Sequence, residues 1–344
     1  MVRLVVHLGA AKSGSSALQH YFAKNRAALR ANGVLIPDQD MAAGSNVSGT
    51  QLWFFESLRP CGADQQKIFH DRLARLRETA DAEGLNTVVI SSENLINPRG
   101  FHRLFEKVDQ SFDLRCLLYV RRQDDYLISA WHQWDMKRGD SPDQLFAKRA
   151  EFGDWHDRLL PWEETVGRDR ITVRRFGKSY LTDGDVVSDF VSAIALNTDG
   201  CEPLAGFTNR SLDEALGRMA SRVPDVFTGP HDNGFYEAFA NVLGEEAFKR
   251  GNGSALFSYG QRLQILDTHA PGNDALKKKY FPDLPAGEPL FQPPDPEEAI
   301  TLTPAEERDE ELRFLIRAVY RMAEKIQALE RAQPPLPAAA REEA

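Results

Sequence analysis

The sequence predicts an α/β protein with a P-loop-like central parallel sheet flanked by helices and additional helices towards the carboxyl end. Three observations predict it. Val2–Leu8 is an almost unbroken apolar run, as a parallel strand covered on both faces requires. A small-residue loop holding Gly9, Lys12 and Gly14 follows and leads straight into a helix. Strand-like and helix-like segments then alternate over the first two hundred residues, the pattern of a parallel sheet with helical crossovers.

The first helix carries Leu18, Phe22 and Leu29 on one side and is expected to stop at Gly33, a residue suited to a left-handed terminus. Val34–Pro37 reads as a short extended piece. The stretch 37–63 is irregular and carries Trp53, Phe54 and Phe55, which either wall a substrate or plug a gap in the core. A charged helix over Gln65–Glu83 precedes a second strand, Thr87–Ser91, which runs into Ser92-Glu93-Asn94. After a further helix, Leu114–Val120 is the third strand, followed by Arg121, Arg122 and a helix from about Asp124 to Lys137. Ile171–Phe176 is the fourth, and Gly184-Asp185 opens an amphipathic helix through Val186, Phe190 and Ile194.

Beyond Gly200, helices are expected over Ser211–Arg222, Gly234–Lys249, Tyr259–Asp267 and Asn273–Tyr280. With no clean linker before them they read as caps on the sheet, so that residues 1–296 form one domain. Pro282–Pro296 is proline-rich and extended. Thr303-Pro304-Ala305-Glu306 is a capping-box start, and the helix over 303–331 bears an apolar stripe from Leu312 to Leu329. That helix either folds back on the domain or pairs with a copy of itself in a homodimer. Residues 333–344 read as a disordered tail.

The net charge of −9 over 344 residues argues against a nucleic-acid partner. The three cysteines, Cys61, Cys116 and Cys201, are far apart, lack metal-type spacing and read as free thiols in a reducing compartment. The first strand leaves no room for a signal peptide, and no apolar run is long enough to span a bilayer. A cytoplasmic location is expected, with the Asn-x-Ser sequons at Asn46, Asn209 and Asn252 as chance matches.

Set against the nucleotide P-loop pattern G-x-x-x-x-G-K-[ST], Gly9, Gly14 and Ser16 fall in place, but Ser15 stands where the lysine belongs. The lysine has moved into the loop, at Lys12, and no strand shows a clear apolar run ending in an Asp for Mg²⁺. A second anion site is read at Arg121, which leaves the sheet at its carboxyl edge, with Ser129 about two helical turns further on. The plainer reading there is a solvated arginine pair and a capping or buried serine.

Together these elements resemble the signature of PAPS-dependent sulfotransferases. Lys12-Ser13-Gly14-Ser15-Ser16 matches the strand-loop-helix that binds the 5′-phosphosulfate, and Arg121 with Ser129 matches the pair that binds the 3′-phosphate. Val173-Arg174-Arg175-Phe176, Asp183-Gly184-Asp185, Asp189-Phe190, Asn209-Arg210-Ser211-Leu212 and Asn273 through Phe281 look like the bacterial branch. Where cytosolic animal enzymes stack a tryptophan on adenine this chain has Ala17, a small residue as in the Golgi carbohydrate sulfotransferases.

The resemblance implies sulfuryl transfer from PAPS, without a metal, to a hydroxyl or amine acceptor on a small molecule, glycan or glycolipid. Lys12 would stabilise the departing phosphate. Glu93 is the candidate base, with His20 and His132 as fallbacks; alternatively it pairs with Arg121 or Arg122 or caps the next helix. Trp53, Trp131 and Trp134 either face sugar rings or belong to the core. The rival is an ATP-dependent kinase of a small molecule or saccharide, against which the misplaced lysine counts.

Overall fold

The computed structural model describes residues 1–44, 49–149, 152–204, 212–229, 232–248 and 253–332. The tail over 333–344, the three sequon asparagines and the Asn209–Ser211 part of the resemblance lie outside them.

In chain order the strands are β1 (Arg3–Gly9), β2 (Val34–Leu35), β3 (Thr87–Glu93), β4 (Asp113–Arg121) and β5 (Ile171–Phe176). The helices of the first half are α1 (Ser15–Lys24), α2 (Arg26–Ala31), α3 (Leu52–Ser57), α4 (Ala63–Glu83), α5 (Gln123–Ala130) and α6 (Pro142–Arg149). Those of the second are α7 (Trp155–Val166), α8 (Val186–Ala193), α9 (Glu214–Ser221), α10 (Gly234–Leu243), α11 (Tyr259–Tyr280) and α12 (Pro304–Ala332).

The five strands are all parallel, in the order β2-β3-β1-β4-β5. The α/β class expected from the alternating pattern is therefore what the chain adopts. Both faces of the sheet are buried, which is why β1 reads as a continuous apolar run. Leu4, Val6 and Leu8 pack on one side with Phe55 of α3, Phe69 of α4 and Trp162 of α7. Val5, Leu117 and Tyr119 pack on the other with Leu18 and Phe22 of α1 and Phe190 of α8. Because β1 leads away towards β2 and β4 towards β5, the chain reverses direction between β1 and β4. That is the switch point at which open sheets place ligands beyond their carboxyl edge.

The contacts divide the chain into two compact units. The first, over 1–126, 151–209 and 265–293, contains the whole sheet. The second, over 127–150, 210–264 and 294–344, is helical in its described residues, and the boundary expected between 296 and 303 falls inside it. Its core joins Leu212, Leu216, Leu243, Phe314 and Ala318. Arg218 and Arg222 both reach Glu311 of α12, Arg222 at 2.6 and 2.8 Å.

Several expected elements differ. The helix over 124–137 is α5 followed by a π turn at Trp131–Asp135 and a 3₁₀ turn at Met136–Arg138. The two helices over 259–267 and 273–280 are one, α11, with Pro271 inside it. The segment before β4 holds 3₁₀ turns at Phe101–Phe105 and Val108–Gln110, not an α-helix. The first helix breaks at Asn25, whose side-chain amide donates to the Tyr21 and Glu202 carbonyls. No described helix is long and apolar enough to cross a membrane.

Candidate functional site

The loop after β1 is held by two close approaches. A Cβ on Gly9 would lie 2.5 Å from the Ser92 carbonyl oxygen, so only glycine lets β1 end this close to β3. A Cβ on Gly14 would lie 2.9 Å from the Phe176 ring, and Gly14 sits at φ 86°, where side chains are strained. Between them Lys12 is also left-handed, at φ 62°. The Ala10 carbonyl accepts from the Ser13 N–H and the Ser15 hydroxyl, both at 3.3 Å, closing the loop on itself.

This geometry leaves donors over. The amides of Ala17 and Leu18 both turn to the Gly14 carbonyl, while those of Ser15 and Ser16 have no acceptor among the described residues. They are the free first-turn amides of α1, where the helix dipole favours negative charge. The Ser13 hydroxyl is wholly buried and has no partner among the described residues. Two amides, a buried hydroxyl and the Lys12 side chain thus belong to one five-residue turn, which has the donor chemistry for an anionic group.

Arg121 closes β4. Its Nη1 donates to the Lys12 carbonyl at 2.7 Å, its guanidinium lies 5.5 Å from the centre of the Phe176 ring, and its own carbonyl accepts from Trp155 Nε1 at 2.8 Å. Burial lowers the Arg121 pKa. Arg122 donates to both Asp124 oxygens, at 2.7 and 3.2 Å, and to the Gln292 carbonyl. Burial alone would lower its pKa, but Asp125 and Asp124 outweigh that and raise it. The reading of a solvated arginine pair is therefore overturned: Arg121 braces the loop and Arg122 holds the start of α5.

Glu93 is the last residue of β3 and stands in register with Gly9, and the next amide, of Asn94, donates to the Gly9 carbonyl at 2.8 Å. The candidate base and the candidate anion loop thus leave the sheet side by side, and Glu93 is half-buried there. Ser16 and Ala17 are half-buried on the first turn of α1. Ser129 lies on α5, beyond the point where the chain enters the second unit.

Of the fallback bases, His20 is exposed, with Nδ1 2.8 Å from the Ser16 carbonyl, and His132 is buried in the π turn of the second unit. Trp131 is wholly buried, its Nε1 bonded to the Asp140 carbonyl, so it is core and offers no face to a sugar. Phe54 and Phe55 are core as well, whereas Trp53 is 73% exposed.

Sequence reasoning passed over Phe176 and Trp155, which hold Arg121 from opposite ends. It also missed His7, a polar interruption of the apolar run in β1. His7 Nδ1 meets Ser91 Oγ at 2.9 Å between the rings of Tyr119 and Phe190, and burial pushes its pKa down to about 3. On the same face Asp189 takes both nitrogens of an Arg174 fork and the Tyr119 hydroxyl. Burial would raise the Asp189 pKa, but those bonds and the Thr182 amide lower it. Among the described residues one carboxylate–histidine group has metal-like proximity, Asp154, His156 and Asp157. Asp154 is the cap of α7, accepting from the Asp157 amide at 3.1 Å, and that role accounts for its position.

No family model matches the chain, and no solved structure matches it. It is similar to an uncharacterized protein of Archaeoglobus fulgidus, at 24% identity over 199 residues. The match covers 56% of this chain and 54% of that protein, so the chain spans about half the length of the curated relative it matches.

Proposed function

We propose that this protein transfers a sulfuryl group from PAPS to a hydroxyl or amine acceptor, on a carbohydrate or glycolipid. The observation that carries the reading is the position of Lys12. It sits inside the loop with its carbonyl fixed by Arg121, while Ser15 occupies the position from which a kinase lysine would reach terminal phosphates. The residues fit such an anion: the amides of Ser15 and Ser16 and the buried Ser13 hydroxyl are donors in search of acceptors. They would hold the 5′-phosphosulfate, with Arg121 taking the 3′-phosphate.

PAPS supplies an activated sulfuryl group whose departure leaves charge on a phosphate oxygen. Lys12 meets that charge, and the loop amides meet it without reorganising, because Arg121 and Gly14 already fix their direction. Glu93, leaving the sheet beside Gly9, takes the acceptor proton. A sulfuryl group carries less charge than a γ-phosphoryl, so the lysine and amides suffice in this reading without a metal. The cytoplasm is the compartment proposed, from the sparse unpaired cysteines.

Calorimetry tests the reading. Adenosine 3′,5′-bisphosphate is expected to bind equally with and without Mg²⁺, and more tightly than ATP·Mg²⁺. Metal-dependent binding of ATP in preference to the bisphosphate would establish the kinase reading instead. An acceptor screen with labelled PAPS and mass spectrometry of the product then identifies the acceptor.

A further inference from the structure

α12 is 29 residues long and uses only one narrow face within its own unit. Glu311, Phe314 and Ala318 are buried there, and further along Arg321 pairs with Glu246 and Lys325 donates to the Asn241 carbonyl. The remaining apolar side chains point elsewhere. Leu312, Leu315, Val319, Met322, Ile326 and Leu329 are 40–62% exposed, and Ile316 beside them is 60% exposed.

Their spacing is alternately three and four residues from Leu312 to Leu329. That is a heptad seam, with Leu312, Val319 and Ile326 at a and Leu315, Met322 and Leu329 at d. Such spacing is not needed to pack on the second unit, which takes residues of the neighbouring c and g positions. Seven large side chains left in water over so short a stretch are a contiguous patch of the kind that marks an interface.

We propose that α12 pairs in parallel with α12 of a second copy of this chain along this seam. Two features select a second copy. The seam is self-complementary, with two β-branched residues among its three a positions and Leu or Met at d, the arrangement that favours two strands. The area agrees as well. The exposed seam offers on the order of 700 Å² per copy, close to the roughly 800 Å² per partner of a standard-size interface. The pairing is independent of the chemistry of the Lys12 loop.

Sedimentation velocity on the full chain at micromolar concentrations tests it. The unmodified chain is expected at twice the chain mass. Leu315→Glu/Met322→Glu, which places two charges at exposed d positions, is expected to run at the chain mass with an unchanged circular dichroism spectrum. At least a hundredfold weaker association is expected of it. Leu329→Cys is expected to form an interchain disulfide under mild oxidation, since d residues oppose one another in a parallel pair. A monomeric unmodified chain would overturn the proposal, including one whose seam instead binds lipid vesicles. So would a dimer indifferent to the charged pair, or one in which the Leu329→Cys chain cross-links only to a Leu312→Cys chain and never to itself.

Discussion

The Arg121 guanidinium donates to the carbonyl of Lys12 at 2.7 Å, tying the end of β4 to the middle of the loop that follows β1. The loop needs such a brace, because a non-glycine residue at φ 62° costs on the order of 1–2 kcal/mol unless its surroundings hold it. One side chain thus serves the conformation of the loop as well as the charge near it.

Replacing Arg121 tests that double role. Arg121→Ala deprives the Lys12 carbonyl of its donor, which is expected to cost about 1–3 kcal/mol in urea unfolding. Affinity for adenosine 3′,5′-bisphosphate is expected to fall at least about tenfold. Arg121→Lys keeps the charge but not the fork and is expected to recover only part of each. Unchanged stability in Arg121→Ala would show that the brace carries no load.

Lys12→Met separates charge from conformation. The contact with Arg121 uses the backbone carbonyl, so it is expected to survive the substitution. Sulfuryl transfer is expected to fall on the order of a hundredfold or more. A loss of rate no larger than the loss of affinity, read from single-turnover kinetics, would take Lys12 out of transition-state stabilisation.

Glu93→Gln keeps the shape at the end of β3 and removes the base. Transfer to a hydroxyl acceptor is expected to slow by about 10²–10⁴-fold in a single turnover, with bisphosphate affinity unchanged. Near-normal transfer would leave the proton to another group.

His7 sets an acid limit on stability. Its folded pKa, about 3, lies below the ordinary 6.5, so as the pH falls the unfolded chain takes up the proton first. The contribution of neutral His7 is complete above pH 6.5 and is lost progressively towards pH 3, by up to about 1.4 kcal/mol per pH unit. Urea unfolding between pH 7 and 4 is expected to show a steeper decline for the native chain than for His7→Gln. Equal slopes would sink this account.

The sequence by itself determined the sheet and the residue types at its edge. An apolar run covered on both faces, a loop with Gly9 and Gly14 at the right separation and an arginine ending a later strand are local signals. Strand burial and left-handed turns leave direct marks on residue type. The position of Glu93 at that edge was legible for the same reason, since it closes an apolar run. What the sequence did not carry is what each polar group touches, because that depends on residues far away in the chain. Only the tertiary structure decided that Arg121 reaches back to the Lys12 carbonyl, 109 residues earlier, and that Arg122 is spent on Asp124. It decided that Phe54, Phe55 and Trp131 are core, and that Pro271 lies within one continuous helix. It also decided that α12 buries one face and leaves its heptad seam in water, since periodicity reveals an apolar stripe but not what covers it.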